Sequence, residues 1–291
     1  MLVRIDGTDT CQYEKYGQEK RCRQEFRMNR IEERMKELQE NNKKAFITYM
    51  TAGLPDMEGC KKLIFAQEKA GLDVLELGIP FSDPTADGPV IQAASYKSIM
   101  QGTNLRKVFK LVEEIREEGG KIPIVFMMYF NTVLYYGLEE FVEECKRVGV
   151  DGLIIPDLPF EEQPQLQEIL DRDEEGPILI QLVAPVSGKR IPIILEHARG
   201  FVYCVSSMGV TGQSADFHKN IIDYLKDVKK NSRIPVMMGF GIRTPKDVEP
   251  MKDIIDGCIV GSHFINLMEK SGYSSESAES YCTSFKEELN M

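Results

Sequence analysis

The sequence predicts an α/β protein built as a single closed (β/α)8 (TIM) barrel. Three observations lead there. Eight short apolar runs alternate with stretches of helical period. No composition break or Pro/Gly/Ser linker divides residues 45–265. The rival, an open doubly wound sheet, lacks its dinucleotide fingerprint: Gly239-Phe240-Gly241-Ile242 has two glycines but no third. At 291 residues the chain exceeds the roughly 150 expected of one domain, yet closed barrels of this kind run to about 250.

The expected strands are 45–51, 73–78, 122–129, 152–157, 177–183, 201–206, 235–241 and 257–262. Residues 1–27 are polar and aperiodic and are expected to form a flexible extension, leaving 28–291 as the catalytic barrel. An N-terminal helix precedes the first strand, with Ile31, Met35 and Leu38 on one face and NNKK ending it. Between strands, Leu105, Val108, Leu111, Val112 and Ile115 share a helical face. Leu138, Phe141, Val142, Cys145 and Val148 form another, and Phe217, Ile221, Tyr224, Leu225 and Val228 a third.

Composition removes whole function classes. Hydrophobic residues at 42% and charged residues at 28% are ordinary globular values. With 36 Lys and Arg against 46 Asp and Glu, the net charge of −10 repels polyanions, so nucleic acid is not the expected partner. No apolar run is long enough to span a membrane, and MLVRIDGTDT lacks the apolar core of a signal peptide. Seven cysteines, an odd number without CxxC pairs, argue against a disulfide framework or a zinc site. A cytoplasmic enzyme is expected.

In such a barrel the site lies at the C-terminal ends of the strands. Three glycine-bearing turns sit on that rim: Gly209-Val210-Thr211-Gly212, Gly239-Phe240-Gly241-Ile242 and Gly261-Ser262. Successive N–H groups in such turns form an anion nest, so a phosphorylated small substrate is expected. Each turn alone reads equally as a tight connection needing φ > 0. Glu76 interrupts an apolar strand and must be paired, protonated or facing a cavity; a barrel-interior ion pair is the plain alternative. Asp83 and Asp87 precede Pro and Gly, and Asp157 ends a strand, so each also reads as a turn or cap residue.

The strands contain no lysine for a Schiff base. His197 and His218 lie in helical text, and only His263 is near the rim, which argues against a metal. General acid/base catalysis by carboxylates is what remains.

Residues 75–92, LELGIPFSDPTADGPVIQ, resemble the signature of the tryptophan synthase alpha subunit family. The resemblance extends over about residues 28–270, through FITYMTAGLP (46–55), Met128-Tyr129-Phe130-Asn131, IIPDLPFEE (154–162), Tyr203, GVTG (209–212), GFGI (239–242) and Gly261-Ser262. It implies retro-aldol cleavage of indole-3-glycerol phosphate to indole and glyceraldehyde 3-phosphate. Glu76 then matches the acid/base glutamate and Asp87 the second catalytic carboxylate. Tyr203 stands near the glutamate, with Tyr129 in the indole pocket beside Tyr49. Gly212, Gly241, Gly261 and Ser262 hold the phosphate, with Thr211 counted among the substrate contacts. The implied partner is a pyridoxal-phosphate beta subunit in an α2β2 assembly, the alpha chain itself carrying no cofactor.

Three departures stand out. Tyr49 replaces a common phenylalanine and adds a hydroxyl to the pocket, Leu54 replaces the aspartate of a Gly-Asp-Pro turn, and Ser206-Ser207-Met208 replaces a stretch that often carries arginine. A stand-alone lyase releasing indole without a partner, and a non-catalytic allosteric module, are the alternatives. Intact Glu76 and Asp87 argue against the module. A phosphosugar isomerase would need nothing found in 75–92.

Overall fold

A computed structural model describes residues 28–173, 176–205, 215–239 and 241–291, and no side chain over 215–219. The expected extension at 1–27, the turn carrying Thr211 and Gly212, and Ser206-Ser207-Met208 fall outside these residues. All the described strands are parallel: β1 (Ala45–Thr51), β2 (Val74–Gly78), β3 (Ile124–Met127), β4 (Gly152–Ile154), β5 (Ile178–Leu179), β6 (Gln181–Val183), β7 (Val202–Cys204), β8 (Val236–Met238) and β9 (Gly257–Val260). Their order is β5-β4-β3-β2-β1-β9-β8-β7-β6. Ile180 alone separates β5 from β6, so these are two halves of one run. One half pairs β4 and the other β7, and the eight expected runs close into a ring.

Helices surround the ring: α1 (Arg30–Glu40), α2 (Met57–Lys69), α3 (Pro89–Met100), α4 (Leu105–Glu117), α5 (Phe130–Tyr136), α6 (Leu138–Val148), α7 (Pro164–Leu170), α8 (Ile191–Leu195), α9 (Ala215–Asn231), α10 (Ser262–Lys270) and α11 (Ser275–Leu289). His197 lies in the turn just past α8 rather than in a helix. Among the described residues no helix is long and apolar enough to cross a membrane.

Two apolar layers follow from strand periodicity. Inward residues Ile47, Val74, Val125, Ile154, Ile178, Ile180, Phe201, Met237 and Ile259 fill the ring, and Ile31, Met35 and Leu38 of α1 join the same cluster. Their outward neighbours, such as Phe46, Leu75, Leu77 and Phe126, pack against the helices. β1 has the expected bounds, whereas most other runs leave the ladder early. Residues 128–129, 155–157 and 239 lie past the ends of β3, β4 and β8 and lead into the rim loops; in the second of these Pro156 has no N–H to give to a ladder.

The opposite end is locked by carboxylates at strand starts. Asp73 accepts the Phe46 N–H at 2.6 Å, Asp151 that of Ile124 at 2.8 Å, and Asp256 that of Val236 at 2.7 Å. Cations complete each clamp: Arg34 and Lys286 at Asp73, Arg30 and Arg116 at Asp151, and Lys229 at Asp256. Asp151→Ala leaves the Ile124 N–H without its acceptor and the Arg116 guanidinium without its counter-charge, held only by the carbonyls of Gly120, Ile122 and Gly149. The expected loss is about 3 kcal/mol, read as a fall of roughly 6–12 °C in Tm. An unchanged melting curve would show the clamp to be dispensable.

Candidate active site

Alternation along β2 decides where Glu76 points. Val74 faces into the ring, Leu75 and Leu77 face the helices, and Glu76 therefore shares the inward face with Val74. In the ladder it is flanked by Tyr49 of β1 and Val125 of β3. Glu76 is 1% exposed, and neither carboxyl oxygen has a hydrogen-bond partner among the described residues. This excludes the barrel-interior ion pair. Burial, with a smaller push from the negative charge of Asp87, raises its pKa to about 8. A carboxyl in this state is protonated at neutral pH.

Asp87 arrives from the 81–88 loop that follows β2. Its Oδ2 accepts the Tyr129 hydroxyl at 3.0 Å, and that hydroxyl in turn accepts the Ala86 N–H at 2.9 Å. Burial pushes the Asp87 carboxyl upward, opposed by the Tyr129 hydrogen bond. The loop is braced by the Asp87 N–H donating to the Pro84 carbonyl and by Gln92 of α3, whose Nε2 donates to the Asp87 carbonyl at 2.8 Å. Asp83, by contrast, stays a turn residue that accepts the Ser82 hydroxyl. Asp157 is a clamp: its Oδ1 accepts the Phe130 N–H at 2.9 Å, tying the β4 loop to the start of α5.

Three phenols surround the two carboxyls. Tyr49 is buried, its hydroxyl 3.4 Å from that of Thr51. Its ring lies where any side chain at position 78 would sit: a Cβ on Gly78 would fall 2.0 Å from the Tyr49 oxygen. Tyr203 uses Gly239 the same way, with a Cβ there only 2.5 Å from its ring. Both phenols are held neutral by burial, and both lie within the electrostatic reach of Glu76 and Asp87. Leu54 packs with Tyr49, Ala94 and Ile265 beneath this wall, so the replaced aspartate has become part of an apolar contact.

At the rim, Gly241 has φ +64 and open space where a Cβ would stand. Gly261 caps α10 without a side-chain hydrogen bond, and Ser262 opens that helix on the exposed surface. Phe264 and Ile265 donate their N–H groups to the Gly261 carbonyl, so Ser262 and His263 are the first-turn positions whose N–H groups precede the helical ladder, where an anion can bind. Thus Glu76, Asp87, Tyr49, Tyr129 and Tyr203 gather at one end of the ring, with Gly241, Gly261 and Ser262 on its rim.

Sequence reasoning did not single out Phe81 or Gly78, and it read Gly239 as part of an anion nest rather than as the seat of Tyr203. Phe81 stacks on Tyr129 with ring centroids 5.0 Å apart and planes at 20°. The signal for the two glycines was their place at strand ends beside a bulky inward neighbour.

The sequence profile of the tryptophan synthase alpha chain matches residues 35–291. The tryptophan synthase alpha chain of Lachnospira eligens is 62% identical over 263 residues, covering 90% of this chain and 100% of that one. That of a Thermoanaerobacter species is 44% identical over 265 residues, again with 90% and 100% coverage.

The chain belongs to the tryptophan synthase alpha chain family.

Solved structures agree. The tryptophan synthase alpha chain of Legionella pneumophila superposes with a TM-score of 0.80 at 31% identity, over 90% of this chain and 98% of that one. A chain from the Mycobacterium tuberculosis tryptophan synthase gives 0.81 at 31%, over 91% and 100%. As a member of this family the chain is a lyase of tryptophan biosynthesis that cleaves indole-3-glycerol phosphate to indole and glyceraldehyde 3-phosphate.

Proposed function

We propose that Glu76 is the general acid/base of this cleavage and Asp87 the carboxylate that faces the indole nitrogen. The observation that carries the reading is the buried, unpartnered Glu76 carboxyl with its pKa near 8. A group in that state costs stability unless a ligand uses it.

Glu76 in its neutral form donates its proton to indole C3, which turns the ring into an electron sink. Asp87, ionised, accepts a hydrogen bond from the ring N–H and stabilises the positive charge that C3 protonation places on the nitrogen. The Glu76 carboxylate then takes the proton of the hydroxyl beside the breaking bond. That oxygen becomes the aldehyde carbonyl, and the electrons of the C–C bond return to the ring. Indole leaves with the added proton on C3, and Glu76 is neutral again. Tyr49, Tyr129 and Tyr203 supply the walls that receive the indole ring. Backbone N–H groups around Gly241, Gly261 and Ser262, together with Thr211 and Gly212, hold the phosphate and lend remote binding energy to orientation. The catalytic unit is the barrel of residues 28–291, acting in the cytoplasm. These steps ask for no cofactor in this chain.

A beta subunit carrying pyridoxal phosphate is the proposed partner, in an α2β2 assembly. Its support is an apolar surface on the site's own rim. Leu134 and Tyr135 on α5 are 52% and 94% exposed, and the loop bearing Val186 follows β6 at the same end. The 81–88 loop is largely exposed as well, so a partner seated there would restrain Asp87. Steady-state indole release from indole-3-glycerol phosphate should therefore rise in kcat when a tryptophan synthase beta subunit is added. Equal turnover with and without it, under conditions where binding is demonstrated, would favour a stand-alone lyase.

A further inference from the structure

The catalytic carboxylate assigned to Asp87 sits on an exposed loop after β2, but the group that holds it lies between β3 and α5. Tyr129 ends the β3 run and immediately precedes α5. Its hydroxyl accepts from Ala86 and donates to Asp87, two consecutive residues at the far end of the 81–88 loop. Its ring stacks on Phe81 at the near end. One side chain thus spans both ends of the loop. The Tyr129 backbone is fixed in turn, because the next residue, Phe130, donates its N–H to Asp157 from the β4 loop.

We propose that Tyr129 is a positioning residue for Asp87, holding its carboxylate and the 81–88 loop in the pose that faces the indole nitrogen. This rests on the roles of Glu76 and Asp87 given above and goes beyond a wall contact for Tyr129.

The division of labour within the side chain supports it. A residue serving only as an apolar wall needs its ring, and its hydroxyl would be free or turned to solvent. Here the only O–H proton is committed to Asp87 and a lone pair to Ala86, and the residue is 5% exposed. A hydrogen bond to an ionised carboxylate is stronger than a neutral one and fixes its rotamer. It also favours the charged form of Asp87 against the burial that disfavours it. The titratable groups facing Asp87 are Tyr129 itself, Glu76 on β2, Tyr49 on β1 and Tyr203 on β7.

Tyr129→Phe keeps the ring and its stack on Phe81 but removes the hydroxyl. Indole release should fall about tenfold in kcat, with KM for indole-3-glycerol phosphate held within about twofold. The acidic limb of the kcat–pH profile should move to higher pH, since Asp87 without its donor gains a proton more readily. In an Asp87→Asn background the same change should have little further effect. Phe81→Leu, which loosens the other end of the loop, should also lower kcat without raising KM. Unchanged kcat in Tyr129→Phe, a rise in KM alone, or an undiminished tenfold loss in the Asp87→Asn background would each overturn the proposal. Full turnover in Asp87→Asn by itself would overturn the underlying reading together with this one. A crippled Asp87→Asn beside an unaffected Tyr129→Phe would overturn this inference alone.

Discussion

Glu76→Gln is expected to lower kcat for indole release by at least ~100-fold while KM stays close to its starting value, because a positioned general acid/base contributes about 10²–10⁴. Glutamine preserves the size of the side chain and its hydrogen-bonding atoms but has no proton to give to C3. The proposed phosphate contacts follow other strands and are untouched. The unchanged enzyme should also lose activity as pH rises through about 8, where Glu76 ionises and ceases to be a donor. Stability offers an independent check with a definite sign. The buried carboxyl titrates near 8, against 4.5 for an ordinary glutamate. Below 4.5 the folded and unfolded chains both carry it neutral. Between 4.5 and 8 the unfolded chain ionises while the folded one cannot, so the native state loses stability as pH rises through that window. The variant has no such term. Its Tm should gain on that of the unchanged enzyme between those two pH values. A folded Glu76→Gln enzyme with near-full turnover would sink the mechanism, and one merely destabilised at every pH would point to a structural carboxyl.

The inward direction of Glu76 was legible in five letters, because Val74, Leu75, Glu76, Leu77 and Gly78 alternate as a strand does and the outward leucines leave the glutamate facing in. The ring itself was equally readable, since closure needs only eight runs of the right period. Asp87 was not legible in this way. Nothing local separates it from Asp83, which also precedes a turn-forming residue. What selects it is a phenol 42 positions away, brought close only once β2 and β3 pair. The helix α3 left little periodic trace either. Between Pro89 and Met100 its only charged residue is Lys97, so no polar face contrasts with the buried one. Tyr203 could be named from resemblance, but its seat on Gly239 depends on the register between β7 and β8, which single-sequence patterning does not specify.

Asp87→Asn should cripple turnover as well, by about 100-fold, but through charge rather than proton supply. The asparagine side chain still offers an oxygen to the indole N–H and can still accept the Tyr129 hydroxyl, so the loop and the ground-state contact should survive. What it withdraws is the negative charge that stabilises the protonated ring, and this deficit falls on the transition state; kcat should drop while KM changes little. A second consequence distinguishes the role from simple loop support. The Asp87 charge helps to hold Glu76 protonated. Neutralising it lowers the Glu76 pKa, so the alkaline limb of the residual activity should move to lower pH than in the unchanged enzyme. A disordered loop with an uncoupled Glu76 would lower activity without moving that limb. A pH profile of kcat for Asp87→Asn therefore reads the coupling between the two carboxyls directly, and an alkaline limb left in place would mean that Asp87 acts on the substrate without setting the protonation of Glu76.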